Sequence, residues 1–213
     1  MKLYGYYRSS TSYRVRIALN LKELDYRQQP VNLLRGEHRG GPYRQLNPQG
    51  LVPALETDEG ERLTQSLAIC EYLEERYPEP SLLPANAADR ARVRALVGLL
   101  AIEIHPLNNL RVLKYLTGEM GIDEETKLGW YRHWIAEGFE ALEAMLAGDP
   151  RTGRYCHGDQ PGLADACLVP QVYNAERFGC DLESYPTIRR IHAACNELPS
   201  FARAHPAEQP DAG

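Results

Sequence analysis

The residues best suited to chemistry are four consecutive hydroxyl side chains, Ser9-Ser10-Thr11-Ser12, which follow a short apolar stretch and lead into a helical pattern. The backbone N–H groups of a first helical turn are unpaired and the helix dipole is positive there, so a helix start favours anions. A serine hydroxyl at such a start can donate to a thiolate and lower the pKa of the thiol below its free value of about 8.5. Because the run contains no cysteine, we expect it to hold the sulfur of a ligand. The alternative is that these hydroxyls only cap the helix.

A second polar pair, Gln65-Ser66, stands where the last predicted strand meets the third helix. The N–H groups of that helix start and the Ser66 hydroxyl can bind a carboxylate, and the Gln65 amide can both donate and accept. The alternative is again a helix cap. Two helix starts that favour anions fit a ligand with a thiolate and an α-amino-carboxylate, and glutathione is such a ligand.

Val52-Pro53 lies directly before the third predicted strand. In a thioredoxin-like fold the proline at this position is typically cis and faces the start of the first helix. A cis bond leaves the preceding residue, here Val52, free to offer its backbone N–H and C=O to an extended peptide ligand.

The elements that position these residues alternate between strand and helix. The patterns predict strands over 2–7, 26–34, 54–57 and 62–64, and helices over 12–22 and 66–76. Asp58-Glu59-Gly60 predicts a hairpin between the last two strands. The order βαβ and then ββα is that of a thioredoxin-like domain. Thioredoxins carry a redox CxxC at the start of the first helix, and the hydroxyl run in its place excludes dithiol chemistry there.

The second half of the chain has a helical pattern throughout. A proline-rich break at 77–81 precedes it. Helices are predicted over 87–119, 124–147 with Asp123 as cap, 163–178 and 186–197, and His105-Pro106 marks a kink. The predicted fold is an α/β thioredoxin-like domain over 1–80 followed by an all-α helical bundle over 87–213.

Composition narrows the class of protein. The net charge of −5 argues against nucleic acid as a partner. Five cysteines without a CxxC pair fit reduced, mostly buried thiols, and no ligand spacing predicts a metal site. No apolar run approaches the roughly 20 residues of a membrane span, and the first residues do not form a secretory signal. We therefore expect a cytoplasmic enzyme without membrane or nucleic-acid partners.

Short motifs along nearly the whole chain point to one family. They are Ser9-Ser10 with Arg14-Val15-Arg16-Ile17-Ala18-Leu19, Asn47-Pro48, Val52-Pro53, Gln65-Ser66-Leu67-Ala68-Ile69, His105-Pro106-Leu107-Asn108-Asn109-Leu110-Arg111, Leu168-Val169-Pro170-Gln171-Val172, Ala175-Glu176-Arg177-Phe178, Tyr185-Pro186-Thr187-Ile188, and His205-Pro206 before Gln209-Pro210-Asp211. With them the chain resembles the zeta class of glutathione transferases. The resemblance implies the glutathione transferase fold, glutathione as cofactor, and a homodimer in which the thioredoxin-like half of one subunit packs on the helical half of the other.

The resemblance also implies roles for residues of the first domain. Ser9 would hold the glutathione thiolate, with Ser10 and Thr11 beside it, and Gln65 with Ser66 would bind the γ-glutamyl end. The remaining contacts with the cysteinyl and glycyl parts of glutathione would come from Val52, Pro53, His38 and Gln49. Animal members commonly carry a cysteine where this chain has Thr11, so that thiol would be dispensable.

In the helical domain, the resemblance implies that His105, Asn109 and Arg111 close over the sulfur. Animal members tend to have glutamine where this chain has His105, so a titrating group would lie near the sulfur. Arg8, Arg111 and Arg177 would grip the carboxylate of the substrate. The alternative for each arginine is a solvated surface side chain.

Arg14 and Arg16 come directly after the hydroxyl run and follow the turn rather than face it. We expect them to make structural ion pairs. Tyr6 and Tyr7 precede the run and are expected to be packing residues, although other transferase classes use a tyrosine on the thiol.

The activity that the resemblance implies is glutathione-dependent cis–trans isomerisation of maleylacetoacetate. A thiolate adds to the cis double bond, the resulting single bond rotates, and loss of the thiolate leaves the trans product. The enolate formed on addition would be stabilised by Arg8, His105 or Arg111. Three alternatives stay open: the same chemistry on maleylpyruvate, whose isomerases tend to have a second arginine at the position of Leu110; transfer to haloacids or general conjugation; and a module that only binds proteins.

Overall fold

The computed structural model describes residues 1–212. Its contacts divide the chain into two compact units. The first consists of Met1–Leu83 together with the segment from Asn196 onward, and the second is Pro84–Cys195.

The first unit is built on a four-stranded sheet flanked by helices. Its elements are β1 (Lys2–Gly5), α1 (Ser10–Leu21), β2 (Arg27–Pro30), a 3₁₀ turn (Glu37–Arg39), α2 (Gly41–Leu46), β3 (Ala54–Glu56), β4 (Arg62–Thr64) and α3 (Ser66–Arg76). The strand order is β2-β1-β3-β4, with β1 and β2 parallel and the other pairs antiparallel. The predicted order of strands and helices is confirmed.

The register of the sheet puts apolar side chains on its helical side. Leu3 of β1 pairs with Leu55 of β3, which in turn pairs with Leu63 of β4. Leu3 and Leu55 are buried together with Ile69 and Leu73 of α3, because strand side chains that alternate in facing meet the apolar stripe of a packed helix.

Helix α1 begins two residues before the predicted start at residue 12. Ser9 is its N-cap, with extended backbone, and the Ser9 side chain accepts a hydrogen bond from the Ser12 N–H. The hydroxyl run therefore forms the cap and the first turn, rather than a loop before the helix. Gly5 lets β1 lie close to this turn, since a Cβ there would stand 2.9 Å from Ser12 Oγ.

The second unit is helical. Its elements are α4 (Ala87–Gly98), a π-helical segment (Leu99–Ile104), α5 (His105–Leu107), α6 (Leu110–Gly118), α7 (Glu124–Ala147), α8 (Leu163–Arg177) and α9 (Pro186–Asn196). Asp123 caps α7 as predicted, accepting from the Thr126 N–H at 2.7 Å.

The predicted helix over 87–119 is wrong as a single element. Pro106 has no N–H to donate and its ring displaces the carbonyl four residues earlier, so the backbone widens into the π-helical segment just before it. A new helix starts at Asn109, whose side chain accepts from the Arg111 N–H. The kink expected at His105-Pro106 is thus a break between helices.

The end of the chain packs with the first unit, although the predicted helical domain extended to residue 213. Helix α10 (Pro199–Ala202) contacts α1. Polar bonds fasten the segment: Arg16 Nε donates to the Ala204 carbonyl at 2.9 Å, and the Tyr7 N–H donates to Asp211 Oδ2 at 3.0 Å. These partners are nearly the whole chain apart in sequence, so the helical periodicity of the segment does not predict them.

One stretch of the described residues, 87–118, is long and apolar enough to cross a membrane by length and composition alone. Its best 18-residue window has a mean hydropathy of 1.2, and 33% of that window is buried. This differs from the expectation that no apolar run approaches the length of a span. One such stretch does not identify a membrane span, because core helices of soluble proteins pass the same test.

Candidate active site

The start of α1 carries a chain of hydrogen bonds between hydroxyl groups. Ser12 N–H donates to Ser9 Oγ at 3.3 Å, Ser9 Oγ and Thr11 Oγ1 lie 2.8 Å apart, and Thr11 Oγ1 donates to the Val52 carbonyl at 2.9 Å. Thr11 has one proton and gives it to Val52, so Ser9 is the donor in the Ser9–Thr11 bond.

This arrangement makes Ser9 the hydroxyl best placed to serve a ligand. Its proton can rotate to another acceptor without breaking the Thr11–Val52 bond, and the Ser12 N–H that it accepts polarises its own O–H. Helix α1 has no acidic side chain in its first turn, so nothing in this turn neutralises the positive end of the helix dipole. A ligand anion such as a thiolate fits this position.

The neighbours of Ser9 occupy two different environments. Ser10 is buried within the first turn of α1. Arg8 is half-buried, and its Nη2 donates to the Tyr6 hydroxyl at 3.3 Å while its guanidinium lies 5.0 Å from the Tyr7 ring centre. The guanidinium thus lies against an aromatic pair one residue before the cap.

The loop before β3 is held rigidly in place. The Val52–Pro53 bond is cis, as predicted. The Tyr43 hydroxyl and the Asn47 Nδ2 both donate to the Leu51 carbonyl at 2.7 Å. The Val52 carbonyl receives Thr11, whereas its N–H has no acceptor among residues 1–212. The loop therefore presents one free backbone donor, with its carbonyl already in use.

Helix α3 starts in the same unit, but unlike α1 it has no side-chain cap. Gln65 is its N-cap residue but makes no side-chain cap bond, and it has a positive φ of 67°. Its Nε2 donates instead to Gln49 Oε1 at 2.8 Å, which brings these two exposed amides together. Ser66 is 5% exposed and accepts a 2.7 Å hydrogen bond from Arg14 Nη1.

Arg14 is the residue of this region whose surroundings differ from the sequence-based prediction. Its side chain is 1% exposed, and it makes no ion pair with any described residue. Its expected structural ion pair is therefore wrong. Arg16, by contrast, donates to the carbonyls of Tyr7 and Ala204. A charged residue in a buried helical stretch was the available signal, but the pattern does not say which group it meets.

His38 and Gln49 differ in exposure. His38 lies in the 3₁₀ turn and is 7% exposed, and its carbonyl is 3.0 Å from where a Cβ of Gly50 would stand. Gln49 is exposed and is oriented by its contact with Gln65. Of the two residues predicted near the glycyl part of glutathione, Gln49 presents its side chain to the surface.

The other predicted site residues belong to the second unit. His105 begins α5, and its Nε2 is 3.5 Å from Nδ2 of Asn109, the cap of α6. Arg111 is exposed in the first turn of α6. Arg177 ends α8, exposed, with its guanidinium 4.8 Å from the ring centre of Phe178. His105, Asn109 and Arg111 thus lie along one short stretch, and Arg177 stands apart on another helix.

No group of three or more His, Cys, Asp or Glu side chains within residues 1–212 has the arrangement of a metal site. The five cysteines carry thiols rather than disulfides, and Cys70, Cys156, Cys167 and Cys195 are buried. Burial, together with the nearby Asp165 carboxylate, raises the pKa of the Cys156 and Cys195 thiols. These two thiols are therefore poor nucleophiles at neutral pH.

Comparison with known proteins assigns both halves of the chain. Sequence models of the glutathione S-transferase N-terminal and C-terminal domains match residues 3–81 and 134–197. Maleylacetoacetate isomerase of Pseudomonas aeruginosa PAO1 is 55% identical over 213 residues, which is 99% of this chain and 98% of that protein.

Two solved structures extend the likeness to the whole fold. A maleylpyruvate isomerase, described as a bacterial glutathione S-transferase of the zeta class, superposes with a TM-score of 0.98 at 53% identity over 100% of both chains. Maleylacetoacetate isomerase of Methylobacterium extorquens AM1, solved with malonate and glutathione bound, superposes with a TM-score of 0.97 at 41% identity, again over 100% of both chains. The predicted fold, thioredoxin-like and then all-helical, is confirmed.

Proposed function

The chain belongs to the zeta class of the glutathione S-transferase family, and we propose that it catalyses the glutathione-dependent cis–trans isomerisation of maleylacetoacetate. The observation that carries this proposal is the hydroxyl chain at the start of α1, in which Ser9 is the one donor free to turn toward a ligand sulfur. A module that only binds proteins has no need of such a donor.

Residues of the first unit are suited to the sulfur, the cysteinyl backbone and the γ-glutamyl end of glutathione. Ser9 would face the sulfur, the free N–H of Val52 would meet the cysteinyl backbone, and Gln65 with Ser66 would meet the γ-glutamyl end. The first turn of α3, like that of α1, contains no acidic side chain that would repel a carboxylate. Gln49 would add an exposed amide beside Gln65.

Bound glutathione would supply a thiolate that adds to the cis double bond and leaves again after rotation. The task of the protein is then to keep the sulfur ionised. Ser9 does so by donating a charge-assisted hydrogen bond, which is about twice as strong as a neutral one. The helix dipole of α1 adds a favourable field at the same place.

The carboxylate of the substrate also needs a partner, and arginine suits it because the guanidinium fork matches a carboxylate. Arg8, Arg111 and Arg177 remain the predicted partners, and His105 the predicted titrating group near the reaction. Ser10 and Thr11 belong to the turn that holds Ser9, and Pro53 and His38 remain predicted contacts of glutathione. Replacing each arginine by Met separately would identify the one that raises KM for the substrate.

The experiment that tests the proposal is turnover of maleylacetoacetate and of maleylpyruvate by the purified protein, with and without glutathione, followed by ultraviolet absorbance. Faster glutathione-dependent isomerisation of the first supports the proposal. A preference for the second would keep the mechanism and change the substrate, as the likeness to a maleylpyruvate isomerase allows. Absence of isomerisation with both would contradict the proposal and favour a conjugating transferase.

Replacing Ser9 by Ala should have the largest effect on catalysis. The variant loses the donor to the thiolate, and loss of one such preorganised donor typically lowers kcat by about 100- to 1,000-fold. The thiolate absorbance of bound glutathione, titrated against pH, should show a raised thiol pKa. Ser9→Thr keeps the hydroxyl and is the matched control. Equal kcat in Ser9→Ala and the wild type would remove Ser9 from the mechanism.

The assembly and the compartment also remain proposals. We infer a cytoplasmic homodimer, in keeping with the family. Light scattering of the purified protein should give about twice the mass of the 24.1 kDa chain.

A further inference from the structure

Arg14 places a positive charge inside the first unit without giving it a negative partner. The side chain is 1% exposed, and Nε and Nη2 have no hydrogen-bond partner in the structure. An ionised group that is buried without a counter-charge is costly, because the interior does not replace the lost hydration. A guanidinium cannot escape this cost by losing its proton, since arginine stays protonated in proteins. The position therefore calls for an anion from outside the chain.

The one bond that Arg14 does make shows where that anion would be. Nη1 donates to Ser66 Oγ at 2.7 Å, and Ser66 is the first residue of α3. Because a guanidinium is only a donor, Ser66 must accept in this bond and keeps its own proton for another acceptor. Among residues 1–212, the buried Ser66 hydroxyl has no such acceptor.

The backbone at the start of α3 also favours an anion. Helix α3 has 11 residues, no side-chain cap and no acidic residue in its first turn. Its free N–H groups and the positive end of its dipole thus coincide with a serine proton and a buried guanidinium. A carboxylate satisfies all of them together.

We propose that Arg14 is a positioning residue for the α-carboxylate of the γ-glutamyl group, acting through Ser66. This rests on the proposed use of glutathione. Arg14 holds Ser66 Oγ as an acceptor, which turns the hydroxyl proton outward to the carboxylate, and its charge strengthens that bond. The fold gives this charge no counter-charge, and the carboxylate of the ligand would supply one.

The test compares two ligands that differ only in this carboxylate. One is S-methylglutathione, and the other is S-methylated 4-aminobutanoyl-cysteinyl-glycine, which lacks the α-carboxylate. The S-methyl group removes thiol ionisation from the measurement. Calorimetry gives Kd for each ligand, and their ratio measures how strongly the protein selects the carboxylate.

We expect the wild type to bind S-methylglutathione about 10- to 100-fold more tightly, the range of a charge-assisted hydrogen bond. In Arg14→Met the ratio should fall below about 3-fold, because Ser66 then lacks the buried cation that turns its proton toward the carboxylate and strengthens their bond. Arg14→Lys, which restores a charge without the fork, should recover part of it. Arg16→Gln is the matched control, because Arg16 is a buried arginine on the same helix that donates to carbonyls away from Ser66. Its ratio should equal that of the wild type.

An unchanged ratio in Arg14→Met, with both ligands weakened alike, would show a merely structural role and overturn the proposal. If that variant does not fold, Arg14→Gln serves instead, because it keeps a donor for Ser66 without the charge, and the same criterion applies. If the wild type binds neither ligand, the use of glutathione fails and this proposal falls with it.

Discussion

Helices α1 and α3 are bridged at both ends by a buried cation, and the two bridges are built differently. At the far end, Lys22 Nζ lies 2.8 Å from Glu74 Oε2 and also donates to the carbonyls of Tyr77 and Pro80. At the near end, Arg14 has a serine oxygen and no carboxylate. Both side chains are almost fully buried.

The difference separates two uses of a buried charge. Lys22 has a counter-charge and two carbonyl acceptors within the fold, so its bonds hold α1, α3 and the proline-rich segment together. Arg14 lacks a counter-charge and stands at an uncapped helix start, so its charge is available to a ligand. Lys22 and Glu74 thus stabilise the fold at one end of this helix pair. On our proposal, Arg14 and Ser66 recognise the ligand carboxylate at the other end.

Glu74→Gln removes the counter-charge of Lys22, and we expect it to lower the free energy of unfolding more than any other variant considered. Removing one partner of a buried ion pair leaves the other charge uncompensated and typically costs about 3–5 kcal/mol. Urea denaturation measures the free energy of unfolding. Arg14→Met is the matched variant, and we expect it to leave that free energy unchanged or to increase it, because no counter-charge is lost. Equal losses in both variants would contradict the distinction.

The pH dependence of stability gives a second measurement on the same end. Burial raises the pKa of Glu74, but donation from Lys22, the Leu82 N–H and Ser81 outweighs it, so the pKa lies below its ordinary value. A carboxyl whose folded pKa is depressed adds stability above its unfolded pKa of about 4.3, and this is lost as pH falls through the folded value. The stability difference between wild type and Glu74→Gln should therefore shrink below about pH 4. A constant difference down to pH 2 would exclude ionised Glu74 as the cause.

Ser66→Ala tests the proposed recognition of the carboxylate by Arg14 and Ser66. The variant removes the hydroxyl between Arg14 and the ligand, and we expect the carboxylate selectivity measured with the two S-methylated ligands to fall about 10-fold. Adding Ser66→Ala to Arg14→Met should cause no further fall, because the two residues act as one unit. Additive losses in the double variant would show that they act separately.

Gln65→Gly should change the free energy of unfolding less than Glu74→Gln does, and in the opposite direction. Gln65 adopts a positive φ of 67°, which side chains rarely do, and relief of such strain is worth about 1 kcal/mol or more. Urea denaturation should show a gain in stability, and calorimetry a loss of glutathione affinity, since the amide beside Gln49 is gone. A loss of stability would mean that the Gln65–Gln49 bond outweighs the strain.

Much of this molecule follows from local pattern. The apolar period and the turn residues predict all four strands and the helices α1 and α3, because side-chain facing repeats every two residues in a strand and about every 3.6 in a helix. The hydroxyl run and Gln65-Ser66 point to two helix starts that favour anions, since the chemistry of a helix terminus belongs to the few residues that form it. The motifs then suffice to indicate the zeta class.

Only the tertiary structure decides which distant groups meet. Arg14 reaches Ser66 across 52 positions, where local pattern suggests an ion pair, because its partner is set by how α1 and α3 pack. Thr11 takes the Val52 carbonyl for the same reason, through the placement of a loop 41 residues away. The segment after Asn196 bonds with Arg16 and Tyr7, although its periodicity alone assigns it to the helical half. A local pattern reports which face of an element is apolar, whereas the partner of a buried polar group depends on the packing of whole elements.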